Sequence, residues 1–242
     1  MMLMEYVDGV SITDTLPTGY PAPIEAADGF GTELVDALVG IHRVDWLAAG
    51  LEGFGRPEQY LQRQVERLRK RYTDQKVREV PWFDELADWL ANNIPPIQAP
   101  GIIHGDYHLD NTLFDRSGPR LRAVIDFELS TIGDPLVDLG LLLAFWGPDR
   151  PARRAMPRIQ AVTNVAGAVS RRDLAERYAS TSGRNVDHLG WYMAMAFWKL
   201  AAIVEGAYAQ LVRGETDTVY ARALEFDVPL LVAQAWDLRL GV

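Results

Sequence analysis

Ile102-Ile103-His104-Gly105-Asp106-Tyr107-His108-Leu109-Asp110-Asn111 decides the reading of this chain, together with Ile125-Asp126-Phe127-Glu128 further on. An Asp and an Asn stand five positions apart, and a second Asp follows a segment patterned as a hairpin. Ile102-Ile103 reads as a short buried strand. Thr112-Leu113-Phe114 and residues 121–125 read as paired strands around the turn Asp115-Arg116-Ser117-Gly118-Pro119. Such a hairpin returns the chain to its starting point, so Asn111 and Asp126 are expected to converge beside Asp106.

Each residue taken singly has a plain structural reading, because Asp and Asn are common turn formers and caps. The joint pattern is far more restrictive, since the flanking strand and hairpin must match as well as the letters. Asp106 follows Gly105 where the backbone can turn sharply. A carboxylate there can accept the proton of a hydroxyl nucleophile. Asn111 supplies a neutral oxygen and Asp126 a charged one, both hard ligands that suit magnesium. Phosphoryl transfer needs this equipment, because it asks the protein for positioning and charge neutralisation more than for covalent chemistry.

His104 and His108 have the spacing of an H-x3-H metal pair, but that puts two ligands on one face only in a helix, and Gly105 beside a strand argues against one. His104 is expected to hydrogen-bond the loop, donating from one ring nitrogen and accepting at the other. His42 falls in a helix and reads as packed or capping. Asp134, before Pro135, reads as an N-cap, and Asp138, one turn on, as a buried partner of the loop. The aromatic run Trp191, Tyr192, Phe197 and Trp198 reads as core, with an acceptor pocket facing Asp106 as the alternative.

The 242 residues suffice for a sizeable core, with 48% apolar and 24% charged residues, as in ordinary globular proteins. No apolar run is long enough to span a bilayer, and no secretory leader is evident, so no membrane partner is expected. A chain without cysteine has no disulfides or thiolate metal sites and fits a cytoplasmic location. A net charge of −9 argues against nucleic-acid binding, which needs clustered Lys and Arg. It also means that carboxylates beside a nucleotide require a bridging cation. A two-metal hydrolase fits poorly, since such sites recruit more His and Asp ligands than cluster here.

Residues 3–9 read as a short strand ending at Gly9, and residues 11–28, rich in Pro, Gly and Asp, as loop. Helical periodicity is expected over residues 31–46, 56–72, 82–93, 135–146, 171–182, 186–213 and 216–238. The second of these is strongly charged, with Tyr60, Gln64, Arg67 and Arg71 down one side. The fold class is therefore α+β and mostly helical, a helix-rich lobe with a small β insertion carrying the polar motif.

These residues resemble the aminoglycoside phosphotransferase and choline kinase superfamily, the small-molecule relatives of protein kinases. The match runs through His104-Gly105-Asp106 to Asn111, Ile125-Asp126-Phe127-Glu128, Gly133-Asp134-Pro135 and Asp138. Gly53-Phe54-Gly55-Arg56-Pro57 with the Gln- and Arg-rich helix after it resembles the branch associated with acyl-CoA dehydrogenases. The resemblance implies a kinase-like fold, ATP and magnesium as cofactors, and a small-molecule hydroxyl as acceptor. It implies Asp106 as catalytic base, Asn111 and Asp126 as metal ligands, and residues 4–7 as a hinge whose backbone, at Glu5 and Val7, meets adenine. On this reading residues 1–9 are a hinge-like strand and residues 10–242 the C-terminal catalytic lobe. The N-terminal lobe, with its phosphate-covering loop and strand lysine, is absent and would lie before Met1. Lys70, Lys76 and Lys199 are the only lysines, all in helical contexts, and none is an evident substitute. The expectation is an ATP-dependent phosphotransferase, with a truncated or degenerate non-catalytic binding module as the alternative. Apolar Met1, Leu3 and Met4 at an exposed lobe interface give a homodimer as one expected assembly.

Overall fold

The computed structural model describes residues 5–96 and 98–240. Among the described residues, seven α-helices accompany two small antiparallel sheets. The first helix, α1 (Pro23–His42), begins with proline at its first turn, where the missing N–H costs nothing. It starts eight residues before the expected position. Gly29 and Gly31 are helical contact points: a Cβ at Gly31 would stand 2.9 Å from Leu174 and 3.0 Å from Trp146. The helix α2 (Tyr60–Gln75) buries Leu61, Val65, Leu68 and Tyr72, a stripe at helical spacing. In α3 (Phe83–Asn92), Phe83 stacks on Tyr72 with ring centroids 3.6 Å apart.

Strand β1 (Gly101–Ile103) pairs with β4 (Thr131–Gly133), and β2 (Thr112–Phe114) with β3 (Leu121–Val124), the second pair being the expected hairpin. The strand expected at the start of the chain does not form in its described part. Residues 5–9 are irregular, and only Val10 makes a bridge, exchanging two backbone hydrogen bonds with Phe114. No other ladder partner reaches that segment among the described residues. Met1, Leu3 and Met4, invoked for self-association and for the hinge, lie outside the described residues.

The C-terminal half is helical: α4 (Leu136–Ala144), α5 (Arg171–Ser182), α6 (Leu189–Val212) and α7 (Val219–Leu238). Ser170 and Asp173 close a reciprocal capping box at the start of α5. Helix α6 runs through the centre against α2, α3, α4 and α7. Trp191, Phe197 and Trp198 are buried core residues, as the first reading of that run expected. Pro135 occupies the N-cap position of α4, yet the Asp134 carboxylate still accepts the Leu136 N–H at 3.0 Å and the Tyr192 hydroxyl at 2.8 Å. Gly140 lets α4 close on α6, since a Cβ there would lie 2.6–2.8 Å from Tyr192. Among the described residues no helix is long and apolar enough to cross a membrane.

Candidate active site

The loop after β1 is built around one carboxylate. Asp138, on the first turn of α4 and only 1% exposed, accepts the backbone N–H of His104 at 2.7 Å and of Gly105 at 2.8 Å. His42 faces the same carboxylate at 3.3 Å through Nε2, and its Nδ1 meets the Tyr178 hydroxyl at 2.7 Å. Gly105 has φ +86°, and a Cβ there would stand 2.6 Å from the Leu129 carbonyl. Both facts require glycine before Asp106. The His104 ring donates from Nε2 to the Ile125 carbonyl at 2.8 Å and accepts the Asp106 N–H at Nδ1. Those two bonds occupy both ring nitrogens, so His104 positions the loop and does not pair with His108 as a metal ligand.

The side chains of Asp106 and Asn111 meet directly. Asn111 Nδ2 donates to the Asp106 carbonyl at 2.8 Å and to its Oδ2 at 3.0 Å. The Ile125 N–H donates to the Asn111 carbonyl at 3.0 Å, which brings the residue before Asp126 onto the same loop. Asp126 is exposed and left-handed, with φ +68°. His108 stands beside them, its Nε2 3.6 Å from Asp106 Oδ2 and its Nδ1 3.3 Å from Asp110 Oδ2. Burial pushes the His108 imidazole down, but the carboxylates of Asp106 and Asp110 outweigh it and hold the ring up at about 9. Burial in turn raises Asp106, but His108, Lys199 and Asn111 outweigh that and keep it below the usual carboxylate range.

Lys199 is the site residue that sequence reasoning passed over. It comes from α6, and its Nζ donates to the Gly105 carbonyl at 2.7 Å. Burial lowers its pKa, with Asp138 and Asp106 pulling the other way. Its only signal was rarity: Lys70 pairs with Asp74 and Lys76 with Glu79, which leaves the third lysine for the interior.

Asp106 and His108 lie on the wall of a mostly apolar pocket of about 270 Å³, between α4 and α6, with Tyr192, Met195 and Lys199. A second pocket of about 440 Å³ shares Tyr60, Gly105 and Lys199 with the first and is walled by the arginines of α2. Glu5 and Val7 line a third concavity against residues 120–122 and do not reach the pocket holding Asp106. The donor set suits magnesium only as a partial shell. Among the described residues no group of three or more His, Asp or Glu is arranged to hold a metal. Asn111 spends its amide nitrogen on Asp106, which leaves its side-chain oxygen unspent, and its backbone carbonyl takes the N–H of the residue before the exposed Asp126. Magnesium accepts such a site, since it keeps several waters and phosphate oxygens and needs few protein ligands.

Comparison with known proteins speaks to the family of the chain. The phosphotransferase enzyme family profile matches residues 1–174. Acyl-CoA dehydrogenase family member 10 from Mus musculus is 33% identical over 239 residues, covering 97% of this chain and 22% of its own length. The chain spans about a quarter of the length of the curated relatives it matches. A crystal structure from Ralstonia eutropha, provisionally assigned as an aminoglycoside phosphotransferase, has TM-score 0.81 and 30% identity over 98% of this chain and 72% of its own. Choline kinase from Cryptosporidium parvum has TM-score 0.61 at 12% identity, over 97% of this chain and 70% of its own, which speaks to the fold alone. By profile, sequence and fold, the chain belongs to the phosphotransferase enzyme family.

Proposed function

We propose that the chain carries the acceptor and metal side of an enzyme that moves the γ-phosphate of ATP to a hydroxyl of a small molecule. The observation that carries this reading is the Asp106 carboxylate on the wall of an apolar pocket, fastened by Asn111. Asn111 and His108 both address Oδ2, which leaves Oδ1 for an incoming hydroxyl. Asp106 takes the hydroxyl proton as the acceptor oxygen bonds to the γ-phosphorus and the bond to the β-phosphate oxygen breaks. The Asn111 side-chain oxygen and the Asp126 carboxylate hold magnesium, which when bound neutralises charge on the nucleotide phosphates. In the same reading the backbone at Glu5 and Val7 meets adenine.

Calorimetric titration of ATP, with magnesium and then with EDTA, tests the proposal. Magnesium-dependent binding that falls at least about tenfold in Asp126→Asn is expected, a loss in keeping with one charged contact. Binding indifferent to magnesium and to Asp126 would overturn it and leave a non-catalytic binding module as the better description.

A further inference from the structure

The helix α2 is basic on two sides, and the two sides are treated differently. Away from the pockets, Arg69 bonds Asp84 and Asp88 at 3.1 and 2.7 Å, and Lys70 bonds Asp74 at 2.7 Å. Toward the second pocket stand Arg63, Arg67 and Arg71, one turn apart, with Arg56 just before the helix. None of these four has a carboxylate partner among the described residues. Arg63 donates to the Arg56 carbonyl, and Arg67 to the side-chain oxygen of Gln64. Glu128 is the one acidic side chain on that wall among the described residues.

Like charges repeated at i, i+4 and i+8 weaken a helix, and this chain is acidic overall, at −9. Stability therefore does not account for the row. Arginine is the side chain best suited to planar, bidentate recognition of phosphate and carboxylate. The pocket it lines opens into the apolar one: Tyr60, Gln64, Gly105, Leu129, Lys199 and Ile203 belong to both. At that junction Lys199 is fixed to the Gly105 carbonyl, next to Asp106.

We propose that the arginine row of α2 is the anion-binding half of the acceptor site. Arg63, Arg67 and Arg71, with Arg56 and Lys199, hold a phosphate or carboxylate group of an acceptor whose apolar body lies in the pocket beside Asp106. This rests on the phosphotransferase reading for the word acceptor, but the anion site itself requires no transfer chemistry. Its ligand is an anionic amphiphile bearing a hydroxyl.

The test uses the full chain and two probes with the same tail, octyl phosphate and octyltrimethylammonium, titrated calorimetrically at low and high salt. Octyl phosphate is expected to bind at least about tenfold more tightly, as a single charge-assisted contact supplies, and to weaken as salt rises. Arg67→Gln should weaken it about tenfold. The triple variant Arg63→Gln, Arg67→Gln, Arg71→Gln should lose the preference altogether with its circular dichroism unchanged. Arg69→Gln, on the paired side, should leave binding as it was. Equal affinity for the two probes, or an unchanged preference in the triple variant, would overturn the site. Magnesium–ADP titrated into the triple variant separates the sources of phosphate. Retained ADP binding assigns the row to the acceptor, and lost ADP binding assigns it to the nucleotide and refutes the proposal. Octyl phosphate should still bind Asp106→Asn, so a failure of the transfer chemistry and a failure of the anion site are read separately.

Discussion

Asn111 reaches back to Asp106 through a single amide nitrogen, which donates to the backbone carbonyl at 2.8 Å and to carboxylate Oδ2 at 3.0 Å. One side chain thus sets the height and the rotation of the carboxylate together, and it leaves its own oxygen on the far side. Asp106→Asn should lower acceptor-dependent release of ADP by about 10² to 10⁴-fold, the range for loss of a general base. Asn111→Ala should lower it too and weaken the magnesium dependence. Initial rates across an acceptor panel measure both, and turnover equal to that of the parent chain would remove Asp106 from the chemistry.

Asp138 is the anchor of the loop. Its removal strands two buried N–H donors, at His104 and Gly105, and takes away the partner of His42. At about 1–3 kcal/mol for each unsatisfied donor, Asp138→Ala should cost roughly 3–5 kcal/mol. Urea unfolding followed by tryptophan fluorescence reads this directly. A midpoint shifted by less than a surface substitution would show that the loop has other support.

The His108 imidazole, raised from 6.5 to about 9, ties stability to pH. A basic group raised in the folded state stabilises fully below its unfolded value and loses that contribution as pH climbs through the folded one. In EDTA the parent chain should therefore lose stability between about pH 6.5 and 9, and His108→Gln should flatten that stretch. Denaturant midpoints across the interval decide it. The 42% exposure of the Asp106 side chain means solvent screens part of the effect, so the loss should be on the order of 1 kcal/mol. Asp106, held low, adds the opposite slope in acid: its contribution disappears as pH falls through its folded value.

The approach of α4 to α6 depends on a missing methyl group. At Gly140 a Cβ would come within 2.6 Å of Tyr192 and 2.7–2.8 Å of its backbone carbonyl group. Gly140→Ala improves helix propensity by about 1 kcal/mol, but the clash is with main chain and costs about 1–3 kcal/mol. The expected net is destabilisation with a displaced Tyr192, visible as a lower thermal midpoint. A raised midpoint would mean that the two helices separate at little cost.

What the amino-acid order disclosed about this fold was what short-range chemistry controls. Residues 171–182 are a helix with both ends as read, because Ser170, Asp173 and Gly183 are local stop and start signals. The hairpin of β2 and β3 was legible from its turn and its apolar flanks. Strand β4 was not, because Thr131-Ile132-Gly133 becomes a strand only by pairing with β1, some thirty residues earlier. The first turns of α1 were misread because the Pro, Gly and Asp content of residues 11–28 reads as loop, whereas Pro23 opens the helix and Ala26, Ala27 and Phe30 are buried on it. At the site, the Asn111 side chain meets Asp106, and its backbone carbonyl takes the N–H of Ile125, the residue before Asp126. Lys199 did not announce itself, since nothing near it in the chain marks a helical lysine as the partner of a distant glycine carbonyl.

Asp126 holds a backbone conformation, φ +68° and ψ +52°, that a side chain disfavours by about 1–2 kcal/mol and that glycine accepts freely. Selection for robustness alone would replace the aspartate there, because the exchange relieves strain and the side chain is exposed. Under the magnesium role proposed for Asp126, position 126 is a gauge of whether the chemistry is still in use. A lineage that keeps the acid goes on tolerating a strained corner for its charge, and one that has abandoned the reaction should drift to glycine and gain a sturdier fold.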